Sequence, residues 1–304
     1  MNRKSNFAEK RPGKTQQPKT SERIQRLLFQ AQRACEAGQL AVAEQLCLQI
    51  LAIDVRSAEG LHLLGFVGYR SRRFEMAIRM IGRAIAVNHK QPHYHSNLGN
   101  AFLARGKLDQ AVASYGKALT LNPDLVEAHS NLGNALLAQN KLEMAVVSYR
   151  HALALNPNLP EAHLNLSNAL RTLGNLEEAL ASSDRVLALK PGYVKAHSNR
   201  GAALHALGKL DEALASYDQA LAIDPNNVDA SWNRSLVQQL QGDFAAGWRN
   251  YEWRNQKSAS HHFPQPQWRG EPLQGSRILL HCEQGWGDDL QFLRLMSLPL
   301  SIAK

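Results

Sequence analysis

Pro123, Pro157, Pro191 and Pro225 stand 34 residues apart. An alanine lies twelve residues before each of them: Ala111, Ala145, Ala179 and Ala213. Twelve residues before three of those alanines is a glycine (Gly99, Gly133, Gly201), and Ser167 takes the fourth place. A period of this length means that each unit is one small supersecondary element, too small to bury its own apolar face. Successive units must therefore stack, and the fold is a quasi-one-dimensional array. With 304 residues, 44% of them hydrophobic, the chain has ample apolar surface for such an array.

Units numbered from 92, 126, 160 and 194 carry leucine at the seventh position (Leu98, Leu132, Leu166, with Arg200 departing). A tyrosine occupies the twenty-fourth (Tyr115, Tyr149, Tyr217, with Ser183 departing). Apolar periodicity predicts one helix over 127–138 and a second over 142–155, joined by a polar turn at 139–141. Asn156 and Pro157 should stop the second helix, because proline has no N–H to donate and disfavours helical geometry in the residue before it. Small Gly133 and Ala145 should let the paired helices approach, with Leu132 and Tyr149 filling the space between them.

This pattern resembles the tetratricopeptide repeat family from residue 24 to about 257. Two weaker units come first, 24–57 (Ala31, Ala43) and 58–91 (Gly65, Ala77), and a partial unit, 228–257, comes last. The resemblance implies an all-α, right-handed superhelix of about six to seven helix-turn-helix repeats whose first helices line the concave side. It also implies that the inner face binds protein or peptide.

The sixth position holds Asn97, Asn131, Asn165, Asn199 and Asn233. Asparagine is a mediocre helix former because its side chain competes for backbone hydrogen bonds, so five of them inside helices need a reason. In the family resembled, this position faces the groove, as in the asparagine ladder of the O-GlcNAc transferase repeats. One carboxamide offers an acceptor and two donors, enough to meet both the N–H and the C=O of an extended backbone. The alternative is that these asparagines are solvated or bonded within the protein. Asn100, Asn134 and Asn168 repeat at the ninth position and would widen the polar strip, which ends at Ala202.

Other signals have plainer readings. The net charge of +9 is concentrated in the first twenty residues, where six basic side chains face only Glu9. That segment, 1–22, reads as a disordered basic tail. Elsewhere acidic and basic residues alternate, so no nucleic-acid-binding stripe is expected. No apolar stretch is long enough for a signal or a membrane span. Cys35, Cys47 and Cys282 make neither a disulfide framework nor a zinc site, which suggests a reducing, cytoplasmic home.

His95, His129, His163 and His197 recur at the fourth position. Equivalent residues of stacked helices lie about 8 to 10 Å apart, too far to share a metal, and they read as packing residues. No motif calls for a cofactor.

All five tryptophans fall after residue 231, and the composition changes there. A Pro/Gly/Ser-rich linker is read at 258–276. A strand at 277–281 then leads through Gly285, Gly287 and Asp288, a possible phosphate loop, into an apolar helix. The strings GWRNYEWR, FPQPQW and LLHCEQGWGDDLQFLR resemble the junction where bacterial tetratricopeptide proteins continue into a two-Rossmann glycosyltransferase-like domain. Residues 277–304 would be the truncated start of that domain, a short α/β fragment that could also mediate self-association. The function expected is a peptide-binding scaffold with no catalytic residues of its own. The alternative is the substrate-recruiting part of an O-linked, O-GlcNAc-type glycosyltransferase.

Overall fold

The computed structural model describes residues 17–251, all of them in helices or the short turns between helices. Most of the basic tail, the linker 258–276, the strand, Cys282, the Gly285-Gly287-Asp288 loop and the proposed self-association fragment lie outside the described residues. The chain divides into two units, residues 1–224 and 225–304, and each is described by itself.

The first unit contains α1 (Gln17–Glu36), α2 (Leu40–Ile53), α3 (Ala58–Arg70), α4 (Phe74–Val87), α5 (Pro92–Ala104) and α6 (Leu108–Leu121). It continues with α7 (Val126–Ala138), α8 (Leu142–Leu155), α9 (Pro160–Thr172), α10 (Leu176–Leu189), α11 (Val194–Ala206) and α12 (Leu210–Ile223). From α3 to α12 every odd helix has 13 residues and every even one has 14, so the sequence period is reproduced in the backbone without slippage. The predicted second helix, 142–155, and the turn at 139–141 are observed, and the first helix begins one residue earlier, at Val126. At the N-terminus α1 starts at Gln17, inside the segment read as a tail.

Both turns of each repeat follow from local chemistry. Between the paired helices, the fifteenth position has positive φ in every repeat: Gly38, Arg72, Gly106, Asn140, Gly174, Gly208 and Gly242. The left-handed region costs an ordinary residue about 1 kcal/mol or more, which is why five of the seven are glycine. Between repeats, the residue after the second helix turns extended (φ −143° at Asn122, −139° at Asn156). Its side chain accepts from the backbone two residues on, Asp124 N at 3.1 Å and Asn158 N at 3.0 Å.

The core runs along the stack. Ala111, Ala145, Ala179 and Ala213 are fully buried, as are Tyr115, Tyr149 and Tyr217. The glycines at the eighth position make room for these rings more than for the neighbouring helix backbone. A Cβ built on Gly99, Gly133 or Gly201 would sit 2.6, 2.6 or 2.7 Å from the Cε1 atom of Tyr115, Tyr149 or Tyr217. Where Ser167 replaces the glycine, the ring is replaced as well. Ser167 Oγ lies 2.7 Å from Ser183 Oγ and donates to Ala179 O at 2.8 Å. In the first repeat the same pair is Ala31 and Cys47, both fully buried. Cys47 is thus a core residue of matched size, and burial pushes its thiol up to about 12.

The stack of the first unit is asymmetric. Consecutive first helices touch (α1 with α3, α3 with α5, α5 with α7, α7 with α9, α9 with α11), whereas the second helices have no comparable contact with one another. Helices that converge on one side and spread on the other make a curved array, so the first helices of this unit form its inner face.

The second unit contains α13 (Val228–Leu240) and α14 (Phe244–Tyr251), packed on each other. Asn227 caps α13, accepting from Ala230 N at 2.9 Å. These helices lie within 228–257, the span read from the sequence as a partial repeat, of which 252–257 are outside the described residues.

Candidate functional site

The asparagines at the sixth and ninth positions are one helical turn apart, and so share a face of each first helix. All eight are half-buried. In the first unit four of them, Asn100, Asn131, Asn134 and Asn165, form hydrogen-bonded rungs that join one repeat to the next.

The rung is built from three residues. Asn100 Oδ1 accepts from Tyr115 Oη at 2.7 Å within its own repeat and from Asn131 Nδ2 of the next repeat at 3.0 Å. The following rung is the same, with Asn134 Oδ1 accepting from Tyr149 Oη at 2.8 Å and from Asn165 Nδ2 at 2.9 Å. Each buried tyrosine hydroxyl therefore finds a partner, and burial holds both phenols well above their usual range. Asn131 and Asn165 each use one N–H in the ladder. The other N–H of Asn131 and the Oδ1 acceptor of both have no bond among the described residues, while Asn165 also reaches the Tyr149 hydroxyl.

At its N-terminal end the ladder closes on a histidine. Asn97 Nδ2 lies 2.8 Å from His62 Nε2, and the His62 ring stacks on Tyr94 with centroids 4.3 Å apart. Burial, with His93 nearby, pulls the His62 imidazole down to about 4. It is therefore neutral near pH 7 and can accept from the carboxamide.

At its other end the ladder breaks. Ser183 stands where the tyrosine should be, and Asn168 Oδ1 accepts instead from Arg171 Nη2 at 3.1 Å. Asn199 has no hydrogen bond within the described residues. One repeat further, Ala202 stands where the ninth-position asparagine should be, and the fully buried Tyr217 hydroxyl has no partner among the described residues. Asn233 lies half-buried on α13 in the second unit, described separately from this ladder.

The fourth-position histidines do more than pack. His95 bonds the carbonyl of His89 at 3.0 Å, and His129, His163 and His197 bond those of Pro123, Pro157 and Pro191 at 2.8, 3.0 and 2.8 Å. Each imidazole ties the start of one repeat to the junction behind it, satisfying a carbonyl that lies past a helix end. The repeating interval of six residues between histidine and proline is the signal that could have revealed this. Further ties between repeats are polar: Arg73 to Glu44 at 2.6 and 3.0 Å, Gln139 to Asp109 at 2.8 Å, and Arg105 to Glu75. Among the described residues no cluster of three or more His, Cys, Asp or Glu side chains could hold a metal ion.

The family model for the TPR repeat matches residues 99–140, 133–171, 167–208 and 202–242. These matches fall in phase with the helix pairs and rings described above. Residues 99–242 of the chain are tetratricopeptide repeats.

Its helical repeats superpose on those of several solved structures. pilF of Pseudomonas aeruginosa matches with a TM-score of 0.64 at 18% identity, covering 74% of this chain and 99% of that one. A tetratricopeptide repeat protein of Parabacteroides merdae matches with a TM-score of 0.58 at 16% identity, covering 79% and 95%. YrrB, described as a TPR protein with an unusual peptide-binding site, matches with a TM-score of 0.52 at 23% identity, covering 60% and 93%. At these identities the likeness is one of fold. No curated protein matches the chain in sequence.

No helix among the described residues of the TPR protein is long and apolar enough to cross a membrane.

Proposed function

We propose that this TPR protein is a scaffold that binds extended polypeptide along the face formed by its first helices. The observation that carries the reading is the unused half of the ladder. After donating one N–H internally, Asn131 keeps one donor and one acceptor, the pair that complements the C=O and N–H of a peptide unit, and Asn165 keeps its acceptor. The internal bonds hold the carboxamides in place, so little side-chain entropy is lost on binding. Spacing agrees: repeats about 10 Å apart would meet an extended chain advancing about 3.3 Å per residue at roughly every third residue. Such contacts read the backbone and tolerate many sequences.

The peptide-binding site named for YrrB is consistent with this use of the fold. The cytoplasmic setting expected from the sequence suits Cys35 and Cys47, both free thiols in the core. The glycosyltransferase alternative rests on residues 247–294, almost all outside the described residues, and none of the reported relatives supports it.

Asn199→Ala provides the test. This carboxamide has no internal bond, so its removal should leave thermal stability unchanged. It should weaken binding of a neutral extended 12-residue peptide about tenfold, the equivalent of one to two hydrogen bonds. Unchanged affinity by fluorescence anisotropy, in a protein that melts like the parent, would sink the reading.

A further inference from the structure

The flank that α1 turns away from the rest of the stack differs from its counterpart in the later repeats of the first unit. In each of those the third and tenth positions of the first helix are buried, from Gly60 and Val67 to Ala196 and Ala203. They pack on the repeat before, Ala128 against Ala118 and Ala135 against Ala111 and Tyr115. In α1 the same two positions hold Arg26 and Arg33, both exposed. Arg23 and Gln30, also exposed, fall on the same side at helical spacing, so a basic flank runs about 15 Å along the helix.

This charge is not neutralised within the fold. No acidic residue lies between Arg23 and Arg33, and none of the three arginines takes part in an ion pair among the described residues. Among the described helices α1 packs on α2 and α3, and the exposed flank faces neither. Residues 1–36 carry nine basic and three acidic side chains, a net +6 of the chain's +9, so the positive charge of the sequence before α1 continues into a helix whose bases are exposed. Phe29, on the adjoining side of the helix, is 60% exposed.

We propose that this flank of α1 is a docking surface for an anionic phospholipid bilayer, which holds the repeat array at a membrane surface by its first helix. A bilayer complements the flank in shape as well as in charge. It is flat, and the flank lies along one straight helix at the end of the first unit's stack. The exposed phenylalanine beside the arginines supplies an apolar contact at the headgroup boundary, a second attraction beside the charge. A nucleic-acid site would alternate its bases with stacking rings, whereas residues 1–36 hold only Phe7 and Phe29. Docking of this kind requires no helix that crosses the bilayer.

The experiment is co-sedimentation of the full chain with vesicles of phosphatidylcholine, with and without phosphatidylserine. The chain should sediment with the phosphatidylserine vesicles and not with the others, and high salt should release it. One base near an anionic surface contributes about fivefold in affinity. Arg23→Gln, Arg26→Gln and Arg33→Gln together, with the first twenty residues intact, should therefore weaken binding about a hundredfold. All three side chains are exposed, and an unchanged urea midpoint checks the fold. Equal binding by the triple variant would assign the attraction to the segment before α1 and overturn the proposal, as would equal binding to both kinds of vesicle or binding to neither. Tighter binding to a labelled single-stranded RNA than to the phosphatidylserine vesicles, weakened by the same substitutions, would assign the flank to nucleic acid and overturn it as well.

Discussion

Removing one phenolic oxygen should have opposite effects in different repeats. Tyr115, Tyr149 and Tyr217 are all fully buried, all packed against a glycine and all twenty-fourth in their repeat. Tyr115 and Tyr149 donate to ladder asparagines at 2.7 and 2.8 Å, and Tyr217 donates to none of the described residues. A typical buried hydrogen bond contributes about 1 kcal/mol net, so Tyr115→Phe and Tyr149→Phe should each destabilise by about that amount. An orphaned buried hydroxyl costs about 1 to 3 kcal/mol in lost hydration. Tyr217→Phe should therefore stabilise by about 1 kcal/mol, and the two kinds of variant should differ by about 2 kcal/mol for the same deleted atom. The complementary change, Ala202→Asn, restores the missing partner. Its gain is offset by roughly 0.7 kcal/mol of helix propensity, for a net stabilisation of about 1 kcal/mol that should disappear when combined with Tyr217→Phe. Urea denaturation of the full chain, followed by far-UV circular dichroism, reads these shifts in midpoint. If Tyr217→Phe costs as much as the other two, the hydroxyl has a partner and the account of a broken ladder is wrong.

Gly133→Ala places a methyl 2.6 Å from the Tyr149 ring and should destabilise by about 1 to 3 kcal/mol through overpacking; adding Tyr149→Ser, after the Ser167–Ser183 pair, should relieve the clash, and a Gly133→Ala midpoint equal to the parent's would count against ring packing as the glycine's purpose. His62 takes up its proton near pH 4 in the folded protein and near 6.5 when unfolded. The unfolded state thus binds more protons between those values, and stability should fall as pH drops from 6.5 to 4. In His62→Gln that part of the decline should flatten; an identical slope in the two proteins would assign it to other groups.

The repeat, the helix pair, the polar turn at 139–141 and the stop at Asn156 and Pro157 were all legible in the sequence, because each depends on residues close together along the chain. Two local features were equally present in the spacing and were overlooked: the positive-φ position shared by Gly106, Gly174 and Gly208, and the six-residue interval from Pro123 to His129. The asparagines were legible as a series but not in their partnerships. Asn131 and Asn100 are 31 residues apart, and only stacking of one repeat on the next brings them to 3.0 Å.

Sequence alone determined that 34-residue units must stack, since a single helix pair cannot bury its apolar side, and that five carboxamides recur in phase. Tertiary structure decided which of their hydrogen-bonding groups remain unused. Contacts between neighbouring repeats consume one N–H each from Asn131 and Asn165, close Asn97 on His62, and leave Asn199 without a bond among the described residues. Periodicity places identical residues at identical positions, but the bonds they form depend on what the adjoining repeat presents, and that is a property of packing.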